Sequence, residues 1–254
     1  MFAIDGGEEK LVSVMLGSLI FGARRARAAG LKVTPPSRPG LRIPPMVVAA
    51  ARRRVADELC STAAEFHARG WMLGTSGNLS AVLEREPLCL AITASGVDKG
   101  RLVPEQILCV DGEGAVLDPG GRASDETRLH LEVIRRTGAG SVLHTHTVWN
   151  NLAAERGRSA GAVVLEGHEM LKGLSGVRTH EHSERVPVLA NSQDYEALAL
   201  GVERALAEQA GAHGLLLHRH GLYAWGEDLA AARRHVEILE FLFEFTGRLA
   251  MAGA

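Results

Sequence analysis

The sequence predicts an α/β protein built around one core, and three observations carry that expectation. Short apolar, β-branched runs such as Leu88–Ile92, Ser141–His144 and Gly214–Leu217 read as buried strands. They alternate with longer stretches, such as Val47–Arg69 and Leu229–Met251, whose apolar residues recur at helical spacing. No internal repeat divides the chain, and its 254 residues, 46% of them hydrophobic, suffice for a large core.

Residues 1–45 stand apart from that pattern. Leu11–Gly22 is apolar but too short to span a bilayer. Asp5, Glu8 and Glu9 precede it and Arg24, Arg25 and Arg27 follow, the reverse of a secretory signal's charge order. Pro35, Pro36, Pro39, Pro44 and Pro45 then make a stiff linker. The expected organisation is a poorly structured N-terminal extension over 1–45 and one domain over 46–254. Met46 is an alternative start, and a small docking segment is the competing reading of the extension.

Val48, Val55, Leu59, Ala63 and Phe66 form the apolar side of the first helix, and Gly70 follows where a C-terminal cap belongs. The run Gly74-Thr-Ser-Gly-Asn78 then precedes a strand over Leu79–Leu83, and Thr93-Ala-Ser-Gly96 follows the strand Leu88–Ile92, with Lys99 just beyond. Small residues and glycines expose backbone N–H groups and admit positive φ, as an anion-cradling loop requires. Two such loops and a lysine point to a phosphate monoester pocket. Pro104 starts a short helix to Leu108, and Asp111–Gly114 turns a hairpin between Ile107–Val110 and Ala115–Leu117. Ser124 is the expected N-cap of a helix to Thr137. Glu126 in its first turn has a structural role as a helix-start carboxylate and could also reach a metal.

Ser141-Val-Leu-His-Thr-His-Thr147 is the stretch around which the chain is organised. Strand alternation sends His144 and His146 to one side, with Cα atoms roughly 7 Å apart, and Thr145 and Thr147 to the other. Two imidazoles so placed can converge on one cation. Neutral imidazole suits zinc, and a catalytic zinc site wants about three protein ligands and an open position. Such a pair also arises as two polar residues at a strand end, so the rest of the chain decides.

After a strand over Val163–Leu165, the short helix Glu166–Leu174 carries Glu169 among mostly apolar neighbours, where a carboxyl of raised pKa could serve as general acid or base. His180 and His182 lie in charged surroundings and read as a solvated loop. Asn191 or Ser192 caps a helix to Gln209 after the strand Val186–Leu189. A last apolar strand ends at His218-Arg-His220-Gly221, its histidines sharing a face, one as ligand and one as neighbour. Val236, Leu239, Phe243 and Leu249 turn the closing helix to the core. The formal charge of -2 gives no electrostatic reason to expect nucleic acid or membrane. Cys60, Cys89 and Cys109 lack metal-site spacing and suit a reducing cytoplasm.

Thr75-Ser-Gly-Asn78, Thr93-Ala-Ser-Gly96, His144-Thr-His146 and Arg219-His-Gly221, in that order and spacing, resemble the class II aldolase/adducin family from about Val47 to the C-terminus. Ile92–Arg101, Gly167–Gly173 and Arg219–Gly226 are similar to the family's dehydratase branch more than to its sugar-phosphate aldolases. The resemblance implies a three-layer α/β/α fold with a central, mostly antiparallel sheet, assembled as a homotetramer. It implies one Zn2+ per subunit on His144, His146 and His220, with Glu169 as the acid/base. It implies phosphate binding by Ser76, Gly77, Asn78, Ser95 and Gly96, with Lys99 as an addition and Glu126 as a further ligand or base. The implied activity is zinc-dependent dehydration of 5-methylthioribulose 1-phosphate in methionine salvage. A fuculose- or ribulose-phosphate-type aldolase is the alternative, and a non-catalytic adducin-like protein a lesser one.

Overall fold

A computed structural model describes residues 45–253. The expected extension therefore lies, apart from Pro45, outside the described residues, as does the side chain of Val48. Helix α1 (Pro45–Ala68) buries Leu59, Ala63 and Phe66, and Gly70, at φ 76°, turns the chain back so that Trp71 N donates to Phe66 O at 2.9 Å. Strands β1 (Asn78–Arg85), β2 (Leu88–Thr93) and β3 (Ile107–Asp111) follow. The helix expected from Pro104 to Leu108 is only a 3-10 turn over Pro104–Gln106, because Ile107 and Leu108 are claimed by pairing with Thr93 and Ile92. The Asp111 turn forms, its carboxylate accepting from Glu113 N and Ala115 N at 2.9 Å each. The second hairpin arm reduces to a single bridge between Val110 and Val116.

Then come α2 (Thr127–Thr137), β4 (Ser141–Thr145), α3 (Val148–Gly157), β5 (Ala162–Glu166), β6 (Ser183–Leu189), α4 (Tyr195–Glu208), β7 (Gly214–Leu217), β8 (Gly221–Gly226) and α5 (Leu229–Met251). The strands form one sheet in the order β3-β2-β1-β4-β8-β7-β6-β5. Every neighbouring pair is antiparallel except β6 with β7, so the sheet is mixed, though mostly antiparallel. Period-two alternation splits the core into two apolar layers. Leu79, Leu143, Leu222 and Ala224 pack with residues of α1, α3 and α5, whereas Val142, Leu215, Tyr223 and Trp225 pack with residues of α2 and α4. The result is a three-layer α/β/α architecture with β4 between β1 and β8 at its centre.

Some expected boundaries shift. Ser124 caps a turn, not the helix: its Oγ accepts from Glu126 N at 3.3 Å, and α2 begins at Thr127. At α4 the cap is Asp194, which accepts from Glu196 N and Ala197 N, while Asn191 and Ser192 remain in the loop before it. Leu249 is 44% exposed and not core, since at that turn Gly247 is the residue that meets Trp149 of α3. Among the described residues no helix is long and apolar enough to cross a membrane.

Candidate metal centre and anion cradle

His144 is the penultimate residue of β4 and His146 lies one residue past its end, so the two point the same way. Their Nε2 atoms lie 2.7 Å apart. His220 arrives from the turn between β7 and β8, and the three imidazoles offer ligand atoms within 4.8 Å of one another. Residues 218–220 form that turn with Arg219 at φ 55°, so strand alternation does not apply there. His218 consequently faces away, bonding Glu155 at 2.9 Å. Close backbone approach builds the rest. A Cβ on Gly221 would clash with Thr145 O and sit 3.0 Å from His144 Cε1, and one on Gly77 would sit 2.6 Å from His144 O.

The protons of these rings are set from behind. His144 Nδ1 donates to Leu222 O at 2.9 Å, which leaves its Nε2 lone pair facing the cluster. His220 Nδ1 donates to Asn191 Oδ1 at 3.1 Å, and its Nε2 faces Glu126 Oε1 at 3.0 Å. Both ring nitrogens of His220 thus face oxygens. A cation at the cluster would replace the proton that the Nε2 atoms of His144 and His146, 2.7 Å apart, must otherwise share. Burial, reinforced by His146, pushes His144 well below its usual pKa. Burial, with His220 next, pushes His146 down to about 4, so both rings are the neutral ligands a divalent metal needs. For Glu126, burial works to raise the pKa, but the His220 bond, the adjacent His144 and His220 rings and the Asn78 amide hold the carboxyl well below its usual range. Its Oε2 lies 3.7 Å from His144 Nε2. The donor set therefore fits a divalent metal, with Glu126 within reach as a further ligand.

Beside the histidines is a cavity of about 230 Å³ lined by Ser76, Gly77, Asn78, Ser95, Gly96 and Lys99, with Glu126 and His146 also on its wall. Gly77 and Gly96 adopt φ of 73° and 72°, as the loops' composition predicts. Lys99 is 1% exposed, and its Nζ donates to Val97 O at 2.9 Å and Thr75 O at 3.2 Å. Burial lowers its pKa, against the pull of Asp98 and Glu126. A lysine held this way adds positive charge to the loops.

Glu169 departs from its expectation. It begins a 3-10 turn (Glu169–Gly173), its side chain is 74% exposed, and it pairs with Lys172 at 2.7 Å. That bond holds its carboxyl below the usual value, not above it, and within one chain it does not line the cavity. His180 is exposed and His182 bonds Glu184, so neither joins the cluster.

Other participants were not evident from sequence. Asn191 reads as a helix cap, yet it bonds His220. Tyr223 stacks on His144 with ring centroids 3.9 Å apart, and its buried hydroxyl has no hydrogen-bond partner among the described residues. Glu240 of α5 is 3% exposed and accepts from Thr145, Thr147 and Asn150. Its one visible signal is a charge at a core-facing helical position, next to Leu239 and Phe243.

Residues 57–246 match the family model for the Class II Aldolase and Adducin N-terminal domain. The chain belongs to the class II aldolase and adducin family. Among curated relatives, a methylthioribulose-1-phosphate dehydratase of Xanthomonas campestris pv. campestris is 44% identical over 200 residues, 78% of this chain and 91% of that protein. The Methylococcus capsulatus protein of the same name is 44% identical over 195 residues, 76% of this chain and 93% of that protein. Among solved structures, the L-fuculose-1-phosphate aldolase from Thermus thermophilus aligns with a TM-score of 0.63 at 30% identity, covering 80% of this chain and 99% of that one. In this class II aldolase and adducin chain, the histidines and glycine loops thus sit on a fold shared with sugar-phosphate enzymes.

Proposed function

We propose that this chain is a zinc-dependent hydro-lyase of methionine salvage, converting 5-methylthioribulose 1-phosphate to 5-methylthio-2,3-dioxopentyl phosphate. The observation that carries the reading is the juxtaposition of the three imidazoles with a cavity walled by two glycine loops and a buried lysine. Similarity to named dehydratases supports the choice of reaction.

Ser76, Gly77, Asn78, Ser95 and Gly96 bind the phosphate through N–H, hydroxyl and amide groups, and Lys99 adds charge. Zinc held by His144, His146 and His220 supplies Lewis-acid stabilisation of the negative charge that develops when the C3 proton leaves. Glu126, ionised and beside the rings, is a fourth ligand or a base. Glu169 protonates the departing C4 hydroxyl. That role requires a second copy of the chain to bring it to the site, and a homotetramer supplies one. Glu169 adjoins exposed Met170, and His168 packs edge-on against half-exposed Phe245 of α5, an apolar surface suited to a partner. Burial there raises a carboxyl's pKa, as an acid requires. A reducing cytoplasm fits the unpaired Cys60, Cys89 and Cys109.

An aldolase reading draws on Glu126, whose carboxylate beside the histidines suits C–C cleavage as well as elimination. Purification without chelator, metal quantification and product analysis on 5-methylthioribulose 1-phosphate separate the readings. The expected result is about one zinc per chain, a diketone phosphate and no aldehyde. An aldehyde fragment overturns the dehydratase in favour of the aldolase. A protein with neither metal nor turnover is an adducin-like binder.

A further inference from the structure

His130 is fully buried on α2, and its ring bonds Asn78 and Ser80. Its Nε2 lies 2.5 Å from Asn78 Oδ1 and its Nδ1 2.7 Å from Ser80 Oγ. Asn78, 4% exposed, in turn donates from Nδ2 to Glu126 Oε2 at 2.6 Å. Asn78 Nδ2 lies 2.6 Å from Glu126 Oε2 and 3.5 Å from Ser124 Oγ, so its NH2 faces Glu126 and its carbonyl oxygen faces His130. His130 must then donate from Nε2. Its Nδ1 is left bare and takes the hydroxyl proton of Ser80, which lies closer to the ring than to its other acceptor, Val142 O, at 3.3 Å. Burial, against the Glu126 charge, pushes the ring down to about 4, in keeping with a single proton on it. Tyr223, edge-on at a centroid distance of 5.6 Å, fixes the ring plane.

The opposite orientation of Asn78 would set its carbonyl oxygen against the Glu126 carboxylate oxygen that its Nδ2 now meets at 2.6 Å. That contact repels, and Asn78, 4% exposed, has little water to relieve it. We infer that His130 is a positioning residue of this site, fixing the Asn78 amide so that it donates to Glu126 and aims that carboxylate at the metal-binding histidines. The inference rests on the reading of His144, His146 and His220 as a metal centre. It adds a route by which α2, from the other side of the cradle, sets the geometry of that centre. Glu126 Oε1 reaches His220 because Oε2 is already tied to Asn78.

Two measurements test it. Long-range 15N NMR of histidine-labelled, metal-free wild-type protein reads the His130 tautomer directly, whatever the protein catalyses. A proton on Nε2 is expected, and a proton on Nδ1 overturns the inference. Zinc affinity by chelator competition then reads the coupling in His130→Gln, His130→Leu, Asn78→Ala and the last two combined. Gln presents an N–H near the position of the imidazole Nε2, so His130→Gln should stay within about 3-fold of wild type, whereas His130→Leu should lose roughly 10-fold. The double variant should bind no more weakly than Asn78→Ala alone. Additive losses, or a Gln variant as weak as Leu, would reduce His130 to a core residue. Melting temperatures show whether a loss is merely one of folding. A wild-type protein that binds no zinc defeats the metal-centre reading, while the tautomer still decides the orientation of Asn78.

Discussion

Glu240 accepts the hydroxyl of Thr147 at 2.7 Å through one carboxylate oxygen, and Thr145 at 3.0 Å and the Asn150 amide at 2.9 Å through the other. Thr145 and Thr147 flank His146, so α5 grips the back of the segment whose front carries His144 and His146 of the candidate metal centre. Glu240→Ala leaves the buried Thr145 and Thr147 hydroxyls without an acceptor and Asn150 Nδ2 with only Thr145, and should cost about 3 kcal/mol. Urea unfolding reads this, and a loss under 1 kcal/mol would show that the grip contributes little.

The same carboxyl gives stability a pH dependence. Burial raises its pKa from 4.5 to about 7, although the Thr147, Asn150 and Thr145 bonds oppose the shift. Between those values the folded chain holds a proton that the unfolded chain has released. This contribution is therefore full below the unfolded value and falls by about 1.4 kcal/mol per pH unit until it is lost above the folded one. Glu240→Gln removes the term. The wild-type minus Gln difference in unfolding free energy should drop by on the order of 2–3 kcal/mol between pH 5 and 7. Parallel curves would refute it.

Gly221→Ala and Gly96→Ala separate close approach from backbone conformation. At Gly221 the added Cβ meets Thr145 O and the edges of His144 and His146, so strand spacing must change at the ligands. A loss of about 1–3 kcal/mol with weakened metal binding is expected. At Gly96 a Cβ meets nothing within 4 Å, and only the φ of 72° resists it. That should cost about 1–2 kcal/mol and leave metal content unchanged. Equal effects on metal binding would mean that the Gly221 contact does not position the histidines.

Lys99→Met removes the ammonium and its two bonds to loop carbonyls. Inhibition by inorganic phosphate should weaken by about 10-fold, with KM rising in step and zinc content unaltered. Unchanged phosphate inhibition would move the anion elsewhere.

Glu169→Gln should lower kcat by ~10²–10⁴-fold with full zinc content. Because its side chain is exposed and outside the cavity of its own chain, refolding Glu169→Gln together with His144→Ala should restore activity that neither variant has alone. Failure of the mixture, while Glu169→Gln stays inactive, would place the residue's action within one chain.

Much of this architecture was legible in the sequence because it depends on local periodicity. The two-residue repeat put His144 and His146 on one face and Thr145 and Thr147 on the other, and helical spacing gave the closing helix its observed limits, Leu229–Met251. Expectations failed where a distant partner outvoted a local preference. Asn191 suits a cap, yet His220 engages it from 29 residues away. Ser124 suits one too, but α2 starts after Glu126, whose carboxylate is drawn to His220 and Asn78. Glu169 follows mostly apolar sequence, but its 3-10 turn projects it to solvent, where Lys172 sets its charge. The roles of Glu240 and His130 were hidden for the same reason: each is defined by partners at least 50 residues distant.

Gly77 lies against the carbonyl of His144, so the anion loop and the ligand strand share a backbone contact with no side chain between them. For a phosphate-anchored substrate that contact acts as a ruler. On the proposed function, the span from phosphate to cation would be set by the main chain, and surface substitutions or loop exchanges elsewhere would not stretch it. Sugar phosphates should therefore be sorted first by how many carbons separate their phosphate from their carbonyl, and only afterwards by the group at the far end.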